Sequence, residues 1–226
     1  MNDASFKIFI EREIPAFLKK MDLFKGKGVK KIGDHSDEFK KISRKNIHTE
    51  LYSVAIKNLD YEILLSDDSI FQFSKNQSEF RYAFIQTPYI NVSKEDFINL
   101  QFTHDELSQL NKEEYDDFVN TIREEDFEQF RCEQSINPKS HIIRYDIDKK
   151  NYLPLIHAYS HLHIGPNDYI RIPCSILLTP LSFAQFVIKN TYPINHTIYI
   201  QHIAHKGDKI DSKFWKGEEE REVFFI

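Results

Sequence analysis

The period of apolar and polar positions changes several times along the chain, and each change marks an element. Phe6, Phe9, Ile10, Ile14, Phe17, Leu18 and Met21 recur at helical spacing, which predicts an N-terminal helix with one apolar face. Pro15 falls inside that run and has no amide hydrogen to donate, so a bend or break is expected midway. Ile47, Leu51, Val54, Ala55 and Leu59 predict a second helix. The pattern then becomes β-rich over Glu62–Ser66, Ser69–Ser74 and Phe80–Gln86, with Asn76, Gln77 and Ser78 in the place of a hairpin turn.

In the middle of the chain three capping residues each stand three positions ahead of an acid: Ser93 with Asp96, Thr103 with Glu106, and Asn111 with Glu114. That spacing lets the two side chains cap each other's backbone amides, so helices are expected to begin there. Tyr115, Phe118, Val119 and Ile122 then repeat at helical spacing, which turns the acids outward as a solvated face. After Pro138 the β pattern returns over His141–Asp148 and Ser160–Gly165, followed by a short extended piece, Ile170–Cys174. Thr179 and Pro180 supply an N-cap and a first-position proline. Leu181–Tyr192, apolar apart from Ser182, Gln185, Lys189 and Asn190, should be a largely buried helix ended by Pro193. The final Val223-Phe224-Phe225-Ile226 suits either a strand added to the sheet or an apolar peptide held by a partner.

Runs of strands separated from runs of helices make the expected fold class α+β, a largely antiparallel sheet flanked by helices. With 226 residues and 41% hydrophobic content the chain can bury a substantial core. A single α+β domain over 1–226 is expected, with a helical segment over about 1–60 and a sheet-containing portion over about 61–226.

Charge and cysteine usage narrow the setting. No apolar run reaches the roughly 20 residues of a membrane span, and the start lacks the basic-then-apolar signature of a secretory leader. Cys132 and Cys174 lie far apart without CxxC spacing. A reducing, cytoplasmic location without membrane contact is expected. Net charge is −5, which argues against a general nucleic-acid coat, but it is unevenly spread. Lys19 to Lys45 holds ten Lys/Arg against four Asp/Glu, and Asp105 to Glu128 holds ten acids against two bases. The basic part contains Lys25-Gly26-Lys27-Gly28-Val29-Lys30-Lys31, which suits phosphate tracking but lacks the P-loop pattern. A solvated connector between two helices is the simpler reading.

The candidate chemistry comes from strand parity. Side chains alternate across a strand, so Arg144, Asp146 and Asp148 face away from Ile143, Tyr145 and Ile147, as His161 and His163 face away from Leu162 and Ile164. If the two strands pair, all five ionisable residues share one face. Two imidazoles can then act as acid and base in a phosphodiester transfer, with Arg144 or Arg171 on the phosphate. Alternatively, His161, His163 and Asp146 or Asp148 can hold a divalent metal, with His157 as an added ligand. The positive groups can also grip an anion or nucleotide without turnover, and a plain polar sheet face, or buried histidines with ordinary hydrogen-bond partners, accounts for the same residues. Arg81-Tyr82 echoes Arg144-Tyr145 and brings a second guanidinium toward that face, as a phosphate ligand or as half of a salt bridge. His196, His202 and His205 are expected as surface histidines, and neither cysteine has a base nearby to make it a nucleophile.

The ordered stretches Phe80-Arg81-Tyr82-Ala83-Phe84, Arg144-Tyr145-Asp146-Ile147-Asp148, His161-Leu162-His163-Ile164-Gly165, Arg171-Ile172-Pro173 and Thr179-Pro180-Leu181-Ser182-Phe183 resemble an uncharacterised prokaryotic family of conserved hypothetical proteins. The resemblance spans most of the chain after residue 60. It implies a place among defence and mobile-element genes and brings no established catalytic residue. Together with the shared strand parity it leads to the expectation of a defence or toxin-like effector. Such an effector would act on nucleic acid or a nucleotide through His161, His163, Asp146 and Arg144, with Arg171 and Arg81 on phosphate. The rival expectation is a non-catalytic binding or scaffold subunit that recognises a protein partner or an anion in a defence assembly.

Overall fold

The computed structural model describes residues 1–45, 47–76, 79–90, 93–134, 136–165, 170–193, 196–201 and 207–221, with the backbone alone at 104, 128, 131, 132, 134, 196 and 198. The chain divides into two compact units, 1–86 with 141–226, and 87–140.

The first unit is built on a seven-stranded antiparallel sheet. Its strands are β1 (Phe24–Lys27), β2 (Ile63–Leu65), β3 (Ile70–Asn76), β4 (Glu79–Ile85), β5 (Ile142–Ile147), β6 (Ser160–Ile164) and β7 (Ile172–Pro173). Each pairs with the next in chain order, a meander. The fold class is therefore α+β with an antiparallel sheet, as the alternating patterns require.

One sheet face is apolar. Phe71, Phe73, Tyr82, Phe84, Tyr145 and Leu162 are buried beneath α1 (Asp3–Ile8), a π-helical turn (Phe9–Glu13), α2 (Ile14–Lys20) and α9 (Pro180–Thr191). Phe183 of α9 sits at the centre, its ring 5.7 Å from Tyr82 and 6.4 Å from Tyr145. Thr179 caps α9 by accepting from the Ser182 amide at 3.0 Å, with Pro180 at the first helical position. The N-terminal helix continues past Pro15 through the π turn. Pro15 cannot donate to the Glu11 carbonyl, and Lys27 Nζ of β1 donates to that oxygen instead at 2.5 Å.

On the other face, α3 (Asp37–Ile42) and α4 (His48–Lys57) set Phe39, Leu51, Tyr52, Val54 and Ala55 against Ile70 and Ile85. Two residues expected on the buried side of α4 are exposed: Ile47 is its N-cap, and Leu59 lies beyond its end at φ +53°. Beyond that cluster this sheet face carries Gln72, Ser74, Arg81, Arg144, Asp146, His161 and His163.

The basic stretch departs from the expected connector, because β1 makes it an edge of the sheet. Lys25 pairs with Asp68 at 2.5 Å and Lys30 with the buried Asp60 at 2.6 Å. Gly28 lies so close to the neighbouring chain that a Cβ there would fall 1.8 Å from the Tyr61 carbonyl oxygen. A strand of alternating lysine and glycine has no apolar alternation to reveal it, and its partners come from tertiary packing. A second small sheet, β8 (Ile176–Leu178) with β9 (Gly207–Lys209), is likewise invisible in the periodicity. Gln77 and Ser78 of the expected hairpin turn, and the final Val223–Ile226, lie outside the described residues.

The second unit is helical: α5 (Lys94–Gln101), α6 (His104–Leu107), α7 (Lys112–Thr121) and α8 (Glu124–Gln134). All three capping pairs form. Ser93 and Asp96, Thr103 and Glu106, and Asn111 and Glu114 each exchange hydrogen bonds between side chain and backbone amide. Phe97 packs on Phe127 and Phe130, and Phe102 on Phe118. Among the described residues no helix is long and apolar enough to cross a membrane.

Candidate functional site

Register across β4, β5 and β6 lines up two rows of residues on the polar face. Asp146 stands between Arg81 and His161, and Arg144 stands between Ala83 and His163. Alternation explains why these side chains share a face, and neighbouring strands less than 5 Å apart explain why they touch.

Asp146 is the hub. Its Oδ1 accepts from Arg81 Nε at 2.9 Å, its Oδ2 accepts from Arg144 Nε at 2.8 Å, and His163 Nε2 lies 3.4 Å from the same Oδ2. Asp146 is 7% exposed, His161 2% and His163 3%. Burial alone would raise the Asp146 carboxyl, but the bond from His163 and the charges of Arg144 and Arg81 outweigh it and hold it well below the usual carboxylate range. His161 is pushed down to about 4, chiefly by burial. It is therefore neutral near pH 7. Its Nδ1 donates to the Ala158 carbonyl at 2.8 Å, and its ring meets His163 edge-on with centroids 4.9 Å apart. The His163 Nδ1 is buried without a hydrogen-bond partner among the described residues.

A cavity of about 610 Å³ opens on this face, and His163, Arg81 and Arg144 line it. His161 lies outside its lining. From the α3 side come His35, Lys40 and Arg44, which motif reading missed. The signal was the excess of bases between Lys19 and Lys45.

The remaining predicted residues sit around this centre. Asp148 accepts from Asn151 Nδ2 at 2.7 Å and lies 3.6 Å from His157 Nε2, engaged in the turn after β5. His157 is lowered by burial and then by the charge of Arg171. The Arg171 Nε is buried with no hydrogen-bond partner among the described residues. One ligand-capable atom each from Asp146, His161 and His163 lie within 4.8 Å of one another, the spacing a metal would need. A metal bound there would share the Asp146 carboxylate with Arg81 and Arg144, each of which already donates to one of its oxygens. Burial pushes the Cys174 thiol up to about 12, which removes it as a nucleophile near neutral pH. The Cys132 and His196 side chains, and His202 and His205 entirely, lie outside the described residues.

A meander whose polar face carries one carboxylate shared by two arginines and a histidine is the class this chain defines. Residues 20–226 match the family described as "Uncharacterized conserved protein (DUF2290)", and the chain belongs to that family. No curated protein and no solved structure matches it.

Proposed function

We propose that the chain cleaves a phosphodiester in a nucleic acid or nucleotide, without requiring a metal, at the wall formed by His163, Arg144 and Arg81, which Asp146 holds from behind. The observation that carries this reading is that Asp146 gathers two guanidiniums and one imidazole beside a cavity whose other charged lining is Lys40 and Arg44. Such a surface suits a phosphate anion, and paired guanidiniums stabilise the charge that builds on its oxygens. His163, oriented through Nε2 by Asp146, supplies the base at Nδ1 once substrate displaces the side chains that seal that nitrogen. It takes the proton of the attacking hydroxyl as the new P–O bond forms. The imidazolium, stabilised by Asp146, returns the proton to the leaving oxygen as the old P–O bond breaks. His161, neutral and behind the wall, positions His163.

Two observations favour other readings. The spacing of Asp146, His161 and His163 suits a divalent metal. The 87–140 unit carries thirteen acids against five bases and exposes Leu100 at 70%, which suits a basic protein partner in a scaffold. The family resemblance supports a setting in prokaryotic defence, as a toxin-like effector in the cytoplasm, where the free Cys174 thiol would persist.

The test is incubation of the purified chain with RNA, single-stranded DNA and duplex DNA, in chelator or with added divalent metal, alongside His163→Ala and Arg144→Gln. Cleavage that persists in chelator and disappears in His163→Ala is expected. Cleavage that survives His163→Ala, or no cleavage of any substrate, overturns the reading. Strict metal dependence transfers the site to the metal reading.

A further inference from the structure

The cavity beside His163 changes character along its length. On β4 the lining residues run Arg81, Ala83, Ile85, and on β5 they run Arg144, Ile142, with Asp146 paired to Arg81 but outside the lining. Both strands therefore pass from charged to apolar in the same direction over four residues, or roughly 13 Å. Phe39 and Leu51 face the apolar end from α3 and α4. Ala83, the smallest side chain in the middle of the row, leaves the sheet floor low where the character changes.

Two buried imidazole nitrogens on this lining lack hydrogen-bond partners among the described residues. One is His163 Nδ1 at the charged end. The other is His35 Nε2, whose ring meets Phe39 edge-on with centroids 5.5 Å apart. His35 Nε2 is 3.6 Å from Glu62 Oε1, beyond hydrogen-bond reach. Both nitrogens are sealed from solvent, so they mark uncompensated polarity beside the lining and not donors or acceptors exposed within it.

From the run of charged to apolar lining we infer that the cavity takes an unpaired nucleobase in its apolar half while the attached phosphate rests on Arg81 and Arg144. The ligand is then a nucleoside phosphate or a single-stranded end, not a duplex. The inference rests on the phosphate reading above and adds the base. A cavity of about 610 Å³ is of small-molecule size, whereas a base inside a duplex has both faces stacked and could not enter. Phe39, Leu51, Ile85 and Ile142 supply apolar contact for the base.

The experiment is calorimetric titration of the full chain with inorganic phosphate, ribose 5-phosphate and each of the four nucleoside 5′-monophosphates. At least one nucleoside monophosphate is expected to bind roughly ten-fold or more tightly than ribose 5-phosphate, the scale of base contacts with protein side chains. Ala83→Met, which fills the floor, should erase that ratio while phosphate affinity stays unchanged. Should Ala83→Met fail to fold, Ile142→Thr should lower the ratio instead. Equal affinity for ribose 5-phosphate and every nucleoside monophosphate overturns the base site and leaves the phosphate site standing. Failure of every probe to bind overturns both.

Discussion

Asp146 stands opposite His161 in the β5–β6 register, yet the imidazole close to its Oδ2 is that of His163, the diagonal neighbour, at 3.4 Å. Diagonal contacts of this kind are within reach on one face of an antiparallel pair. His161 turns its Nδ1 to the Ala158 carbonyl, and Arg81 approaches Asp146 from the opposite strand. One buried carboxylate therefore compensates several donors at once.

Removing that charge is expected to cost stability as well as activity. Asp146→Asn keeps the shape but leaves Arg81, Arg144 and His163 without their shared anion. Breaking a buried ion pair from one side typically costs about 3 kcal/mol or more. Arg81→Gln should cost less, since its side chain is 70% exposed. Urea unfolding midpoints of the three proteins check the order, and equal midpoints for Asp146→Asn and the natural chain would remove Asp146 as the hub.

The depressed His161 makes the fold acid-sensitive in a defined window. Its pKa is ordinarily 6.5 and falls to about 4 on folding. Between those values the unfolded chain binds a proton that the folded chain does not, so stability is lost as pH falls from about 6.5 toward 4, on the order of 3 kcal/mol. His157 and His48 are lowered by burial too and act in the same direction. Asp146, depressed below its ordinary 3.8, loses its contribution only at still lower pH. In His161→Asn the amide retains a donor for Ala158, and the slope of stability against pH between 6.5 and 4.5 should flatten. An unchanged slope would place the acid sensitivity elsewhere.

The legible parts of this molecule were those written in local periodicity. Parity along Arg144–Asp148 and His161–Gly165 was enough to put Arg144, Asp146, His161 and His163 on one face, because a strand leaves no third direction. Capping at Ser93, Asn111 and Thr179 was legible for the same reason, since a cap depends on residues three apart. What could not be read were relationships set by tertiary packing. His35 reaches the cavity through the loop before α3, Lys30 finds Asp60 thirty positions away, and the buried His161 lies outside the lining that His163 joins on the same face. None of these leaves a spacing in the sequence.

Gly26 in β1 and Gly28 just after it offer a paired test of how this edge docks. A Cβ at Gly28 would meet the Tyr61 carbonyl oxygen at 1.8 Å, whereas nothing lies within 4 Å of one at Gly26. Gly28→Ala must push the strand edge away and should cost about 2 kcal/mol, in the range of overpacked sites. Gly26→Ala should be close to neutral. Thermal unfolding of both variants checks the contrast, and equal melting temperatures would show that the basic stretch is not docked.

Lys30 separates a structural lysine from a phosphate-tracking one. Asp60 is fully buried and accepts from Lys30 Nζ at 2.6 Å, from the Ser36 amide at 2.8 Å and from Ser36 Oγ at 2.5 Å. Those bonds hold its carboxyl below the usual range against the opposing effect of burial. Lys30→Met would leave that anion with the Ser36 donors alone. The expected loss is about 2 kcal/mol, less than for a fully sealed pair because Lys30 keeps nearly a third of its side-chain surface in water. In a double-mutant cycle with Asp60→Asn the two losses should fail to add, since each change removes the same interaction. A lysine reserved for phosphate would behave oppositely: its replacement would leave unfolding unchanged, weaken nucleic-acid binding, and show no coupling to Asp60.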